Sequence, residues 1–378
     1  MTQPHLDQLG AAAWLRSRRL VTISDDEVSS LELLTDSKYQ GVPLDGVILT
    51  GAKASAKARD LRAKHPTTAV LVEPQSTAKA VATAEAPFVL PTGGLFDPTF
   101  AEVVADQLAN TDSYVLTPTG YLSILEPGAL RAVLQQANQI DTDRLIVTIP
   151  LDSGWLKATY REQLIAILNG SRHPLLISLG ADGEPLGSND KSEGLVSLLT
   201  SVENASFTRA DHLVGMEVLG RSNGSVAFGT IPSRRRTTPP GKTGFSSDKT
   251  EKRPHAYYPT LHRFIRGKIA RQLFANTTPP PCDNPCCEGR PLEAFVDSTN
   301  DHVAAMNHSM AALLMKAMGI TGTSSERVLA LQQVYVDAEA EHRRWENILG
   351  RKLAVPDDQH RLGQLSGGLP STARTAPR

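Results

Sequence analysis

The chain has 378 residues, a formal net charge of -1, 40% hydrophobic content and only 5% aromatic content. That length allows one large core or two moderate ones, and the low aromatic content suits an Ala-, Val- and Leu-rich α/β protein better than a β-sandwich. Near-neutral charge excludes a protein that binds polyanions by overall charge, so any such contact must come from local clustering. No apolar run approaches the roughly twenty residues needed to span a bilayer.

Gln3, His5 and Asp7 stand where a signal peptide would carry an uninterrupted apolar core. The expected compartment is the cytoplasm, with no membrane partner, and reduced thiols there favour a metal over a disulfide. Residues 1–19 read as a short helix. Leu20–Ile23 reads as a buried strand, and Ser24 or Asp25 as the cap of a following helix.

From there apolar runs recur at 46–50, 69–72, 88–90, 114–116, 145–149, 175–178, 213–216 and 225–228. Continuous apolar runs of this length mark strands buried on both faces. Amphipathic helices are expected between them, over 52–65, 96–108, 127–140, 155–168 and 191–202. Such alternation is what a (β/α)8 TIM-type barrel needs. Counting Leu20–Ile23 gives one strand too many, so either one strand lies outside the barrel or one of these runs is not a strand. The runner-up is a doubly wound open sheet, although no G-x-G-x-x-G follows an early strand.

Composition changes after the last strand. Residues 232–281 hold eleven basic residues, among them Arg234, Arg235, Arg236, Arg263, Arg266 and Lys268, against Asp248 and Glu251. Residues 234–256 read as a loop or irregular insert and 261–274 as a basic amphipathic helix. Tyr257, Tyr258, His262 and Phe264 are interleaved there as stacking surfaces for bases. A solvated flexible loop accounts equally well for the arginine triplet.

All three cysteines, Cys282, Cys286 and Cys287, fall within six residues, followed by His302 and His308. Thiolate sulfur and neutral imidazole are what tetrahedral Zn²⁺ prefers, and a Cys₃His set fills all four positions, which makes the site structural. His308 opens the apolar run 310–318, where a helix can hold its ring, and is the preferred fourth ligand; His302 is the alternative. Idle thiols, or a disulfide that leaves one cysteine unpaired, would also fit the sequence. Ser324–Leu349 reads as a long charged helix through which two copies could pair, and 355–378 as a disordered tail. The expected organisation is a barrel over 1–231, a basic loop-and-helix insert over 232–276, a zinc-binding helical segment over 277–354 that completes the barrel domain, and the tail.

Three close cysteines, a loop of about twenty residues and a His on an apolar helix resemble the zinc site of the tRNA-guanine transglycosylase family. The likeness covers about residues 278–318, with C-x-x-x-C-C here in place of the family's C-x-C-x-x-C. It implies a (β/α)8 barrel closed by structural Zn²⁺, a tRNA or other nucleic-acid partner, and base exchange at guanine through a carboxylate nucleophile. Leu151-Asp152-Ser153-Gly154 resembles the family's Asp-Ser-Gly-Gly motif, with Trp155 at the second glycine. By that resemblance Asp152 is the catalytic carboxylate and Asp182 its partner.

Barrel enzymes draw active residues from the C-terminal ends of their strands. That rule independently selects Glu73, 117–121, Asp152 to Gly154, Gly180 to Gly183, Glu217 and the loop 229–234. Asp152 could equally cap the helix expected after it. Two other readings stay open: a zinc-stabilised barrel that binds nucleic acid without catalysis, and a small-molecule barrel enzyme whose arginines after the last strand hold a phosphate.

Overall fold

The computed structural model describes residues 19–25, 28–31, 36, 39–42, 44–51, 53–73, 80–92, 97–111, 113–180, 194, 197–198, 201–202, 205–208, 226–228, 255–260, 263–266, 275, 304–305, 307–312, 314–315, 333, 336–337, 340–348 and 350. Eight strands form one parallel sheet: β1 (Arg19–Ser24), β2 (Gly46–Thr50), β3 (Ala69–Glu73), β4 (Val115–Leu116), β5 (Leu145–Asp152), β6 (Leu175–Gly180), β7 (Ala205–Thr208) and β8 (Val226–Phe228). Their spatial order is β3-β2-β1-β8-β7-β6-β5-β4. Apart from the step from β1 to β8, every neighbour in space is a neighbour in sequence. This is the order of a ring cut once, between β3 and β4.

The connections follow from patterning. Helix α1 (Ala54–Lys64) buries Ala54, Ala58 and Leu61, a stripe at helical spacing that lies against β2 and β3. Helix α2 (Phe100–Ala109) starts in a capping box. The Thr99 hydroxyl accepts from the Glu102 N–H, and the Glu102 carboxylate accepts from the Thr99 N–H at 2.7 Å. Helix α3 (Pro127–Ala137) opens on proline, whose missing N–H is not needed in a first turn. Helix α4 (Ala158–Leu168) follows a 3-10 turn at Ser153–Leu156, because Lys157 is extended and breaks the helix expected from Trp155.

Alternation along β5 separates two cores. Leu145, Val147, Ile149 and Leu151 pack with Val104 of α2, Leu130 and Val133 of α3 and Leu164 and Leu168 of α4. Ile146 points the other way, into a cluster with Leu20, Ile48, Leu71, Tyr114, Leu116 and Leu176. That second cluster draws on β1 to β6, including the two edge strands, and defines the inner face. Each such side chain, fully buried, contributes roughly 1.5–3 kcal/mol. At the cut, Ser113, which leads into β4, donates from its hydroxyl to the Val70 carbonyl of β3 at 3.4 Å; Arg62 donates to the same carbonyl at 2.8 Å. Among the described residues no backbone ladder joins β3 to β4.

Three expectations change. Leu20–Ile23 belongs to the sheet, and the surplus strand is 88–90. There Phe88 makes only an isolated antiparallel bridge to Thr119, because Pro87 and Pro91 on either side cannot donate to a ladder. The seventh strand is Ala205–Thr208; the run 213–216 lies outside the described residues. The helix expected over 261–274 gives way to a hairpin, in which β9 (His255–Tyr258) pairs antiparallel with β10 (Arg263–Arg266). Tyr257 and Tyr258 before the four-residue connection 259–262, and Phe264 and Ile265 after it, are residue types that favour that pairing.

Two measurements test this packing. Gly51 has φ +132, and a Cβ there would run into the Asp25 carboxylate. Gly51→Ala should therefore lower unfolding free energy by about 2 kcal/mol or more in urea titrations. Burial holds the His173 imidazole below its ordinary value of 6.5. Its stabilising contribution is present above that value and lost as pH falls through the depressed one. The melting temperature should drop on acidification below pH 6.5, and drop less in His173→Gln.

Candidate functional site

On the inner face, the apolar layer gives way to polar residues toward the C-terminal ends of the strands. Two residues past Ile48 is Thr50, two past Leu71 is Glu73, two past Ile146 is Thr148, and two past Leu176 is Ser178. Thr50, Glu73, Thr148, Ser178 and Asp152 are all half-buried, whereas the leucines and isoleucines beneath them are buried. The result is a polar, solvent-reached end above an apolar floor, the end at which parallel α/β sheets bind ligands.

Glu73 ends β3 in register with Thr50, which is itself in register with Ser24. Burial alone pushes its carboxyl up to about 7 from an ordinary 4.5, with no charged side chain contributing. Although half-buried by surface area, it is crowded enough by protein that its ionised form is poorly hydrated. Asp152 ends β5 opposite Gly180 of β6. Its Oδ1 accepts from the Gly154 N–H at 2.7 Å, capping the 3-10 turn. The cap and the strand-end position therefore coexist. The bond fixes the carboxylate through Oδ1, and among the described residues Oδ2 accepts none.

Beside β5, the chain leaving β4 departs from its ladder. Thr148 donates its N–H to the Thr117 hydroxyl at 2.9 Å, and its own hydroxyl donates to the Thr117 carbonyl at 2.6 Å. Thr117 and Thr119, both buried, share a hydroxyl contact of 2.7 Å. Pairing with β5 resumes at Leu122, whose N–H donates to the Pro150 carbonyl at 2.8 Å. The intervening residues pair instead with 80–89: Tyr121 N–H donates to the Ala80 carbonyl and Val89 N–H to the Pro118 carbonyl. Departures of this kind re-aim side chains beside functional ends. Trp155, at the position of the motif's second glycine, is buried and donates from Nε1 to the Leu122 carbonyl at 3.2 Å.

Asp25 follows β1 and is also buried, and the described residues after it form only a 3-10 turn at Val28–Ser30. Its Oδ2 accepts from the Lys53 N–H at 2.5 Å, so it holds the start of α1 in the next unit. Of the remaining sequence-selected positions, Asp182, Arg234, Arg235, Arg236, Lys268, Cys282, Cys286, Cys287 and His302 lie outside the described residues. Arg263 and Arg266 are the first and last residues of β10. Tyr257 and Tyr258 are fully buried, which removes them as stacking surfaces for bases.

His308 is buried on the helical residues 307–312. Its Nε2 bonds the Tyr257 carbonyl at 2.9 Å, and the Tyr257 N–H donates to the Ser309 hydroxyl at 2.9 Å. Adjacent helix side chains thus serve both backbone groups of Tyr257. A carbonyl only accepts, so Nε2 carries a proton.

Strand-end carboxylates were legible from the rule for parallel sheets, but Asp152 drew attention through motif likeness and Glu73 did not. The signal for Glu73 was a lone acid ending the apolar run Ala-Val-Leu-Val-Glu. No family model matches this chain, and no curated protein matches it at a significant level. Among the described residues no helix is long and apolar enough to cross a membrane, and no three metal-binding side chains come together.

Replacing Glu73 by glutamine tests the environment of its carboxyl. A raised carboxyl contributes stability that is present below 4.5 and lost as pH rises through about 7. The melting temperature of Glu73→Gln should match the wild type below pH 4.5, exceed it by a margin that grows up to about 7, and keep that margin at higher pH; a difference that does not change between 4.5 and 7 contradicts the assignment.

Proposed function

We propose that the chain is a tRNA-guanine-transglycosylase-like enzyme, exchanging a base at guanine in RNA or DNA from the mouth of a (β/α)8 barrel. The observation that carries the reading is the placement of Asp152: last in its strand, on the inner face, half-buried and oriented by a backbone N–H. Closure of the barrel is supported by the cyclic strand order, the inner cluster that includes both edge strands, and the Ser113–Val70 bond across the cut.

Displacing a purine from C1′ passes through an oxocarbenium-like state that a fixed carboxylate can capture. Asp152 takes that role, and Asp182 is assigned as the second carboxylate, which reads the base. Arg234, Arg235 and Arg236 supply the phosphate contacts, with Arg263, Arg266 and Lys268 as further cations. The burial of the two tyrosines moves the nucleic-acid reading onto charge and away from stacking.

Zn²⁺ is assigned to Cys282, Cys286, Cys287 and His308, with His302 the alternative. His308 fits such a set, since a ring whose Nε2–H is held by a backbone carbonyl binds metal through Nδ1. A four-ligand site of this kind supplies folding energy and no catalytic water. It calls for reduced thiols, hence the cytoplasm. A single-stranded or loop substrate is the natural partner, because a target base must leave its stack.

Incubation of purified protein with tRNA and labelled guanine should give incorporation by the wild type and none by Asp152→Ala. Incorporation by both, or by neither, overturns the assignment. Metal analysis should find one zinc per chain, lost in Cys286→Ser, with a lower melting temperature.

A further inference from the structure

We infer that Glu73 carries the proton of the proposed exchange, giving it to the departing base and recovering it from the incoming one. The inference rests on the base-exchange reading above. Its geometric basis is shared placement: Glu73 ends β3 and Asp152 ends β5, both on the inner face and both half-buried above the same apolar floor. The other described inner-face positions at this end are Thr50, Thr148 and Ser178, which bring hydroxyls and no competing acid. Across the cut only β4 stands between these two strands, with Leu71, Leu116 and Ile146 in one cluster and the Ser113 hydroxyl on the Val70 carbonyl. A nucleoside can lie between side chains reaching inward from such strands.

The step balances with these two groups. As the C1′–N bond breaks, its electron pair passes to the base, and the Asp152 carboxylate forms a C1′–O bond. The Glu73 carboxyl gives its proton to the leaving base nitrogen and becomes a carboxylate. The incoming base then attacks C1′ through nitrogen, surrenders its N–H proton to Glu73, and releases Asp152 as a carboxylate. One group must both give and accept the same proton, which favours a carboxyl poised near the working pH. Burial supplies that poise, with the carboxyl pushed up to about 7. The strand paired with β3 brings Thr50 beside Glu73. The acids at this end of the sheet among the described residues are Asp25 and Asp152, and neither contributes to the rise.

The test uses the full-length protein carrying ¹³C-labelled glutamate, as wild type and as Glu73→Gln. One carboxyl resonance should titrate near 7 and be missing from the variant; a Glu73 resonance with an ordinary carboxylate midpoint overturns the inference. In the guanine-exchange assay, Glu73→Gln should lower kcat by about 10²- to 10⁴-fold and abolish the alkaline limb of the pH profile, with partial recovery in Glu73→Asp. Exchange that survives Glu73→Gln within about two-fold, while Asp152→Ala is inactive, overturns the role of Glu73 alone. A wild type that exchanges no base, even with the resonance titrating near 7, overturns the base-exchange reading and this role with it.

Discussion

The inner cluster of Leu20, Ile48, Leu71, Tyr114, Leu116, Ile146 and Leu176 is the packing on which the rest of the sheet depends. Strands facing helices on one side have a second face that must also leave water, and here the side chains of that face pack against one another. They do so from β1 to β6, which binds the two edge strands into one core where backbone pairing between them is not seen among the described residues. Ser113 and Arg62 at the Val70 carbonyl add polar contacts at the same place. The seam is held by burial and side-chain hydrogen bonds, both weaker in direction than a ladder.

That floor also explains why the polar end is tolerated. Carboxylates and hydroxyls at the inner face are costly only where water is excluded, and the apolar layer ends one pleat before Thr50, Glu73, Thr148 and Ser178. Glu73 lies closest to the limit, which is why burial moves its proton affinity while no neighbouring charge does. Asp152 solves the same problem differently, by accepting a backbone N–H at the turn that follows it. Burial of Glu73 is the condition under which a strand-end carboxyl can hold its proton up to about 7.

Much of the sheet was legible because β-rich apolar runs such as Gly46–Thr50 and Leu145–Ile149 have no other stable use in a water-soluble fold. The failures have local causes. Phe88–Leu90 has strand composition but prolines on both sides, and composition is blind to a missing donor until the ladder is drawn. Ala205–Thr208 is short and half polar, so it carries too little hydrophobic signal. Arg263–Arg266 sits in a basic stretch whose spacing suits a helix, and only long-range pairing with His255–Tyr258 decides for a strand. At the polar end, Asp152 was legible as both cap and site residue, and it is both in geometry. The shift at Glu73 was not legible, because it depends on what surrounds the end of β3 and not on any neighbour in sequence.

The hairpin and the helical residues 307–312 illustrate how an exposed strand edge becomes a fixed surface. An outward-facing N–H and C=O on β9 would otherwise invite pairing with another chain. Ser309 and His308, adjacent on the helix, satisfy both groups of Tyr257, and Ser309 also donates to the Ala305 carbonyl at 2.6 Å. Because a carbonyl only accepts, the same contact that covers the strand edge also fixes a proton on His308 Nε2.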